Sequence, residues 1–90
     1  MLRERTIDDD PIAVALQALA WTLGDEARAG RFLALTGIDP AQLRDHAGEP
    51  ATLDAVLGFM EAHQPDLIAC SDAINVSPER LVAARHRLWA

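Results

Sequence analysis

Five prolines divide this chain into segments too short for anything but a compact helical domain. Three of the residues that precede them, Asp10, Asp39 and Ser77, have side chains that cap free backbone N–H groups. Proline suits the first helical position because its missing N–H would have no partner there and its fixed φ already matches a helix. We therefore expect helices to begin at the prolines, which are Pro11, Pro40, Pro50, Pro65 and Pro78.

The apolar pattern between these starts predicts six short helices. They run over about residues 11–23, 26–36, 40–47, 50–63, 65–74 and 78–88. We expect Gly24, Gly37 and Asn75 to end helices in the left-handed conformation, which glycine adopts readily and asparagine tolerates. In the first helix, large apolar residues recur at three- and four-residue spacing, which indicates a core-facing stripe. That stripe comprises Ile12, Leu16, Leu19 and Leu23.

These patterns predict an all-α fold class, a compact bundle of five or six short helices. We expect a single domain over residues 10–90, preceded by a flexible segment at residues 1–9, with the first and fourth helices at the centre. The two halves are similar, since TGIDPAQL at residues 36–43 matches INVSPERL at residues 74–81 in its turn, cap, proline and leucine. Two copies of a shared turn are the simpler explanation, and duplication of a three-helix unit is the alternative.

Charge and composition exclude several kinds of chemistry and partner. The formal net charge is −6, and acidity of this degree repels nucleic acid and anionic membranes. The chain contains no lysine, which excludes Schiff-base chemistry and a lysine-containing phosphate loop. Its single cysteine, Cys70, cannot form an internal disulfide, and no apolar run approaches the roughly 20 residues of a membrane span. We expect a cytoplasmic protein with no membrane partner.

No group of residues has the spacing of a catalytic or metal site. The histidines, His46, His63 and His86, lack the i, i+4 or short-loop spacing of metal ligands. The acidic run at residues 8–10 suits the start of a helix, where negative charge complements the helix dipole. Cys70 has no basic neighbour in sequence, which favours a buried thiol over a nucleophile and leaves its reactivity open. We therefore expect no enzymatic activity, no cofactor and no metal.

Three runs of sequence resemble a family of short bacterial proteins. They are ALQALAW at residues 15–21, LGDE at residues 23–26 and GRFLALTGIDP at residues 30–40. On these runs the chain resembles domain-of-unknown-function family 3572, and the resemblance extends through LDAVLGFM in the fourth helix to the final SPERL. The resemblance implies a small all-helical cytoplasmic protein, and it brings no activity, cofactor or site residue with it.

The C-terminal helix carries the candidate interaction surface. Arginine and tryptophan often anchor protein interfaces, and here they end a chain that is acidic elsewhere. The candidate residues are Arg80, Arg85, Arg87 and Trp89, with Trp21 on the first helix as a second location. In the alternative interpretation, the arginines are merely solvated and Trp89 folds back onto the core.

The expected function is that of a small non-enzymatic protein-interaction module, an adaptor or regulator that binds another protein. The alternative is a DNA-binding regulator that uses the helix-turn-helix outline of residues 67–88. In such a reader, the start of the second helix meets base edges and its arginines meet phosphates. The acidity of the chain, and the recurrence of the same turn in its acidic first half, disfavour nucleic acid as a partner. The oligomeric state is left open.

Overall fold

The computed structural model describes residues 10–89, which form six α-helices and no strand. In chain order these are α1 (Pro11–Leu23), α2 (Glu26–Thr36), α3 (Pro40–His46), α4 (Pro50–Glu61), α5 (Gln64–Ile74) and α6 (Pro78–Arg87). The predicted all-α fold class is confirmed. The flexible segment predicted at residues 1–9 lies outside the described residues. Within residues 10–89, no helix combines the length and the apolar character that crossing a membrane requires.

The helix starts are held by the caps that the sequence predicts. The Asp10 carboxylate accepts the backbone N–H of Ile12 at 3.0 Å, and the Ser77 hydroxyl accepts that of Arg80 at 3.2 Å. At α3, Asp39 and Gln42 cap each other's backbone N–H groups reciprocally, which makes a capping box. These local hydrogen bonds satisfy donors that a helix terminus leaves free, so each helix begins at a defined residue.

One predicted helix start and one predicted left-handed helix end are wrong. Pro65 is the second residue of α5, because the helix begins one residue earlier at Gln64. Gly24 has φ −75°, in the right-handed region, because its N–H bonds the Trp21 carbonyl three residues back and tightens the last turn of α1. The left-handed ends predicted for the other two sites are confirmed, with φ 73° at Gly37 and 58° at Asn75.

The core lies around α1 and α4, as the sequence predicts. α1 packs against α4, α5 and α6, while α4 also contacts α2, α5 and α6. On α4 most of the buried residues recur at three- and four-residue spacing, and Phe59 adds an edge-to-face contact with Phe32 of α2 at 5.4 Å between ring centroids. The buried side chains of α4 are Leu53, Val56, Leu57, Phe59 and Met60.

Candidate interaction surface

Three of the four residues in the predicted stripe of α1 are exposed, which corrects the prediction that the whole stripe faces the core; the fourth, Leu19, is buried as predicted. Ile12, Leu16 and Leu23 are 40%, 39% and 41% exposed. The buried side of α1 comprises Val14, Ala15, Ala18, Leu19 and Thr22.

Close helix packing explains which side of α1 is buried. Ala15 and Ala18 are 0% exposed, and their small side chains let α4 and α6 approach the helix closely. The one polar group on this side, the Thr22 hydroxyl, donates to the Ala18 carbonyl at 2.8 Å and so carries no unpaired hydrogen into the core. The two alanines and Thr22 therefore face inward together with Val14 and Leu19, and Ile12, Leu16 and Leu23 stay exposed.

The exposed stripe continues into a groove beside α1. This groove has a volume of about 340 Å³ and shares Leu23 with the stripe. Its lining residues are Leu19, Leu23, Leu33, Pro40, Leu43, Arg44 and Ala47. We call the exposed stripe Ile12–Leu16–Leu23 together with this groove the α1 face. Among the described residues that line the groove, only Arg44 is charged, so the α1 face is a continuous apolar surface.

Acidic residues lie just beyond both ends of the α1 stripe. Asp10 precedes the helix as its N-cap, and Asp25 and Glu26 come after it at the start of α2. All three are exposed. Glu26 is seven residues before Leu33, which places it on the same side of α2 as the groove. The α1 face is therefore apolar along its length and negative at its ends.

Arg85, one of the predicted interaction residues, is held within the chain. Its Nε donates to Asp54 Oδ1 at 2.8 Å and its Nη1 to Glu61 Oε1 at 3.3 Å. The guanidinium lies over Gly58, where an added Cβ would be 3.0 Å from Nη2. Trp89 is 61% exposed and its Nε1 donates to Asp54 at 3.4 Å. Arg85 therefore joins α6 to α4, while the Trp89 ring stays open to solvent.

The hydrogen bond from Arg85 is the main reason why the pKa of Asp54 is lowered. Burial opposes that shift, and the bond from Trp89 adds to it. Arg85 has a raised pKa for the reciprocal reason. The pair is thus charged on both sides at neutral pH, and it stabilises the contact of α6 with α4.

Of the remaining predicted site residues, Trp21 lies in a separate contact, and Arg80 and Arg87 lie towards opposite ends of α6. Trp21 stacks under the Arg28 guanidinium, 3.6 Å from the ring centroid, and its carbonyl accepts a hydrogen bond from the same side chain. Arg80 lies in the first turn of α6, and Arg87 is its last residue. The structure brings Arg85 and Trp89 together around Asp54, and it places Trp21 in a separate contact with α2.

A second cluster joins α2 to the start of α5. Asp66 accepts a hydrogen bond from Arg31 at 2.6 Å and lies 3.0 Å from His63 Nδ1. Burial opposes ionisation of Asp66, but the bonds from Arg31 and His63 outweigh it and lower its pKa. His63 is the N-cap of α5, and not the C-terminus of α4 as predicted, because α4 ends at Glu61. The ion pair of Arg31 with Asp66 therefore links α2 to α5.

Among residues 10–89, the structure places the single cysteine in the core. Cys70 is 0% exposed, and burial raises the pKa of its thiol to about 11. Such a thiol is protonated at neutral pH, which is the opposite of what a nucleophile requires. Within the same residues, no group of three or more His, Cys, Asp or Glu side chains could hold a metal ion.

These features define a class: small six-helix proteins with an exposed apolar helix face bordered by acidic residues. The particular family is established by comparison with known families. The model of the family described as "Protein of unknown function (DUF3572)" matches residues 8–90, and the chain belongs to that family. Comparison with curated proteins and with solved structures found no match.

Sequence reasoning missed the α1 face because it assigned the same residues to the core. A signal was present in the composition of α1, whose thirteen residues include no Asp, Glu, Lys or Arg. A helix that is apolar on all sides is expected to be covered on all sides. In this chain α4, α5 and α6 cover one side of α1 and α2 also contacts the helix, while Ile12, Leu16 and Leu23 stay exposed.

Proposed function

We propose that this protein is a non-enzymatic interaction module, an adaptor or small regulator, and that it binds another protein through the α1 face. The observation that carries the proposal is the exposure of Ile12, Leu16 and Leu23 on a helix without charges. Large contiguous apolar surface is costly to leave in water, and in soluble proteins it marks contact sites.

The predicted surface on α6 supports the same function less directly. Trp89 is exposed and suits an interface anchor. Arg85, however, already donates to Asp54 and Glu61, so fewer of its N–H groups are open to a partner's carboxylate. We therefore place the primary contact on the α1 face, and Arg80, Arg85, Arg87, Trp89 and Trp21 stay candidates for a secondary contact.

The test is recovery of a host protein by the tagged chain, compared between two charge substitutions. Leu16→Glu places a carboxylate on the α1 face, and Leu35→Glu places one on a leucine that is 73% exposed elsewhere. Leu16 is 39% exposed, so Leu16→Glu should keep the wild-type helix content, and the melting temperatures of both variants are compared with wild type to establish that each is folded. We expect a partner that resists nuclease, is lost with Leu16→Glu and is retained with Leu35→Glu.

Two results would count against this proposal. Partner recovery that is equal for both variants would remove the α1 face from the interface, and Trp89→Ala would then test the surface on α6. If neither wild type nor any variant retains a protein, a stable adaptor role fails.

A DNA-binding regulator is the second candidate, favoured by one observation. α5, the turn at residues 75–77 and α6 form the helix-turn-helix outline that the sequence predicts, with Ser77 as the cap of the second helix. Affinity for duplex DNA that falls steeply with salt, and that Arg80→Ala weakens, would support this candidate. An absence of binding near physiological salt would end it.

A further inference from the structure

Resting on the proposed function, we propose that the partner presents an amphipathic helix whose apolar stripe is bordered at both ends by lysine or arginine. The occupant is a segment of a different protein. It packs its apolar side along the α1 face and places its basic ends beside Asp10 and Asp25–Glu26.

The shape of the α1 face fits a helix. Ile12 and Leu23 are eleven residues apart, which at 1.5 Å per residue makes a stripe of about 16 Å, or three helical turns. The groove that continues from Leu23 runs between α1, α2 and α3, and it offers apolar side chains and no sheet edge. A helix laid in an apolar groove is the recognition mode that uses such a surface, with anchors at i, i+4 and i+7.

The acidic residues at the two ends of the α1 stripe favour basic residues at the two ends of the partner helix. Asp10 lies beyond one end of the stripe, and Asp25 and Glu26 lie beyond the other. The whole chain adds a net charge of −6. Opposite charges on the partner would raise the association rate and fix its register, while acidic ends would meet like charge. Arg44 lines the groove that continues from Leu23, so this end of the α1 face has one basic side chain besides Asp25 and Glu26.

A second copy of this chain fits the same surface poorly. In an antiparallel pair of α1 helices, Asp10 of each copy would approach the Asp25–Glu26 turn of the other. In a parallel pair, each acidic end would meet its own equivalent. Either arrangement brings carboxylates together between two chains that each carry a charge of −6, so charge complementarity favours a basic partner.

Two fluorescein-labelled helical peptides provide the probe. Both carry leucines at the first, fifth, eighth and twelfth positions of a central stripe; one has three lysines at each end and the other three glutamates. By fluorescence anisotropy at low salt, we expect the lysine-flanked peptide to bind at least about tenfold more tightly. The advantage should shrink at about 0.5 M NaCl because salt screens exposed charges.

Matched variants assign the binding to the α1 face and to its charges. Leu16→Glu should weaken the lysine-flanked peptide at least about tenfold, and Leu35→Glu should change it less than about twofold. Glu26→Gln removes one carboxylate from the end of the stripe, so it should reduce the ratio of the affinities for the lysine-flanked and glutamate-flanked peptides. Glu79→Gln, which changes an exposed carboxylate in the first turn of α6, should leave that ratio unchanged.

Each contrary outcome is distinct from a failure of the proposed function. If the glutamate-flanked peptide binds wild type as tightly as the lysine-flanked peptide or more tightly, the inference of basic ends is overturned. If Leu16→Glu also abolishes that binding, the α1 face remains the interaction surface. Dimeric sedimentation of wild type that Leu16→Glu abolishes shows that a second copy covers the face, and this overturns the inference. If neither peptide binds wild type, the inference also fails, and recovery of a host protein by the tagged chain still decides the proposed function by itself.

Discussion

The same turn occurs twice in this molecule and leads to two different outcomes. In the first half it joins α2 to α3, and in the second it joins α5 to α6. Both copies use a left-handed residue, a buried or partly buried apolar residue, a capping side chain, a proline and a leucine three residues later. Yet α3 buries one residue, Leu43, whereas α6 buries Leu81 and Ala84 and is succeeded by the buried Leu88.

The difference lies in the residues on the C-terminal side of the shared motif. After Leu43 the chain continues with Arg44, Asp45 and His46, and the helix ends. After Leu81 the second helix continues for six residues and supplies further apolar side chains to the core. Val76 is 3% exposed, while the corresponding Ile38 is only partly buried. Turn chemistry thus decides where a helix starts, and the apolar residues after the turn decide how deeply it packs.

The largest expected effect compares the equivalent leucines. Leu81→Ala and Leu43→Ala each remove a buried side chain, and such changes cost about 2–5 kcal/mol. We expect Leu81→Ala near the top of this range, because Leu81 is 1% exposed and α6 packs against both α1 and α4. We expect Leu43→Ala near the bottom, because α3 has no other buried residue and can detach alone. Urea unfolding measures both free energies.

Hydrogen exchange sharpens that comparison. In Leu43→Ala the amides of α3 should exchange much faster while those of α1 and α4 stay protected, which is local opening. In Leu81→Ala, protection should fall together across the core. Equal costs with uniform loss of protection in both variants would show that α3 and α6 belong to one cooperative unit.

Substitutions of the two left-handed residues, Gly37 and Asn75, test whether the two turns have the same backbone conformation. Gly37→Ala should cost about 1–2 kcal/mol, the usual penalty for a Cβ in the left-handed region. The added Cβ would have no atom within 4 Å, so the penalty would come from the backbone alone. Asn75→Gly should change stability by less than about 0.5 kcal/mol, because glycine accepts φ 58° readily. Thermal melts measure both, and a costless Gly37→Ala would argue against the left-handed turn.

A smaller effect than that of Gly37→Ala is expected for the ion pair that joins α6 to α4 in addition to the buried residues of α6. Arg85→Gln should raise the pKa of Asp54 towards its ordinary value, because the bond that lowers it is lost. A lowered pKa stabilises the fold above the ordinary value of 3.8 and loses that contribution as pH falls through the folded value. Near neutral pH the substitution should cost about 0.5–1 kcal/mol, and the cost should vanish in acid.

The pKa of Asp54 is measured by carbon-detected NMR titration, with Arg44→Gln on α3 as the matched control. Arg44→Gln should leave both the pKa of Asp54 and the stability unchanged within about 0.5 kcal/mol. An unaltered Asp54 titration in Arg85→Gln would show that Arg85 does not hold this carboxylate in solution.

Local physics explains why the sequence predicts the helices well. Prolines, capping side chains and left-handed residues act on backbone groups only a few positions away. Their effect can therefore be predicted from the sequence. Four of the five prolines begin helices where predicted, and Asp10, Asp39 and Ser77 cap as expected. Gly24 fails as a left-handed end because a tight right-handed turn leads directly into the next cap.

The orientation of α1 could not be predicted from the same rules. Large apolar residues such as Leu16 recur at helical spacing, and that pattern predicts that they face the core. In the structure, Ala15 and Ala18 face the core and Leu16 is exposed. On a helix without charges, the pattern offers no polar side to mark solvent, and the choice depends on how closely α4 and α6 can approach. Cross-helix pairs such as Arg85 with Asp54 also depend on tertiary packing and carry no signal in sequence spacing.

The Arg85 guanidinium above Gly58 has a consequence for how this sequence can vary. Alanine at position 58 would favour the helix by about 1 kcal/mol, and its Cβ, 3.0 Å from Arg85 Nη2, would force the guanidinium to shift. We therefore expect residues 58 and 85 to vary together among relatives. Relatives that keep arginine at the position of Arg85 should keep glycine at the position of Gly58, and those that lose the arginine should be free to gain a side chain there.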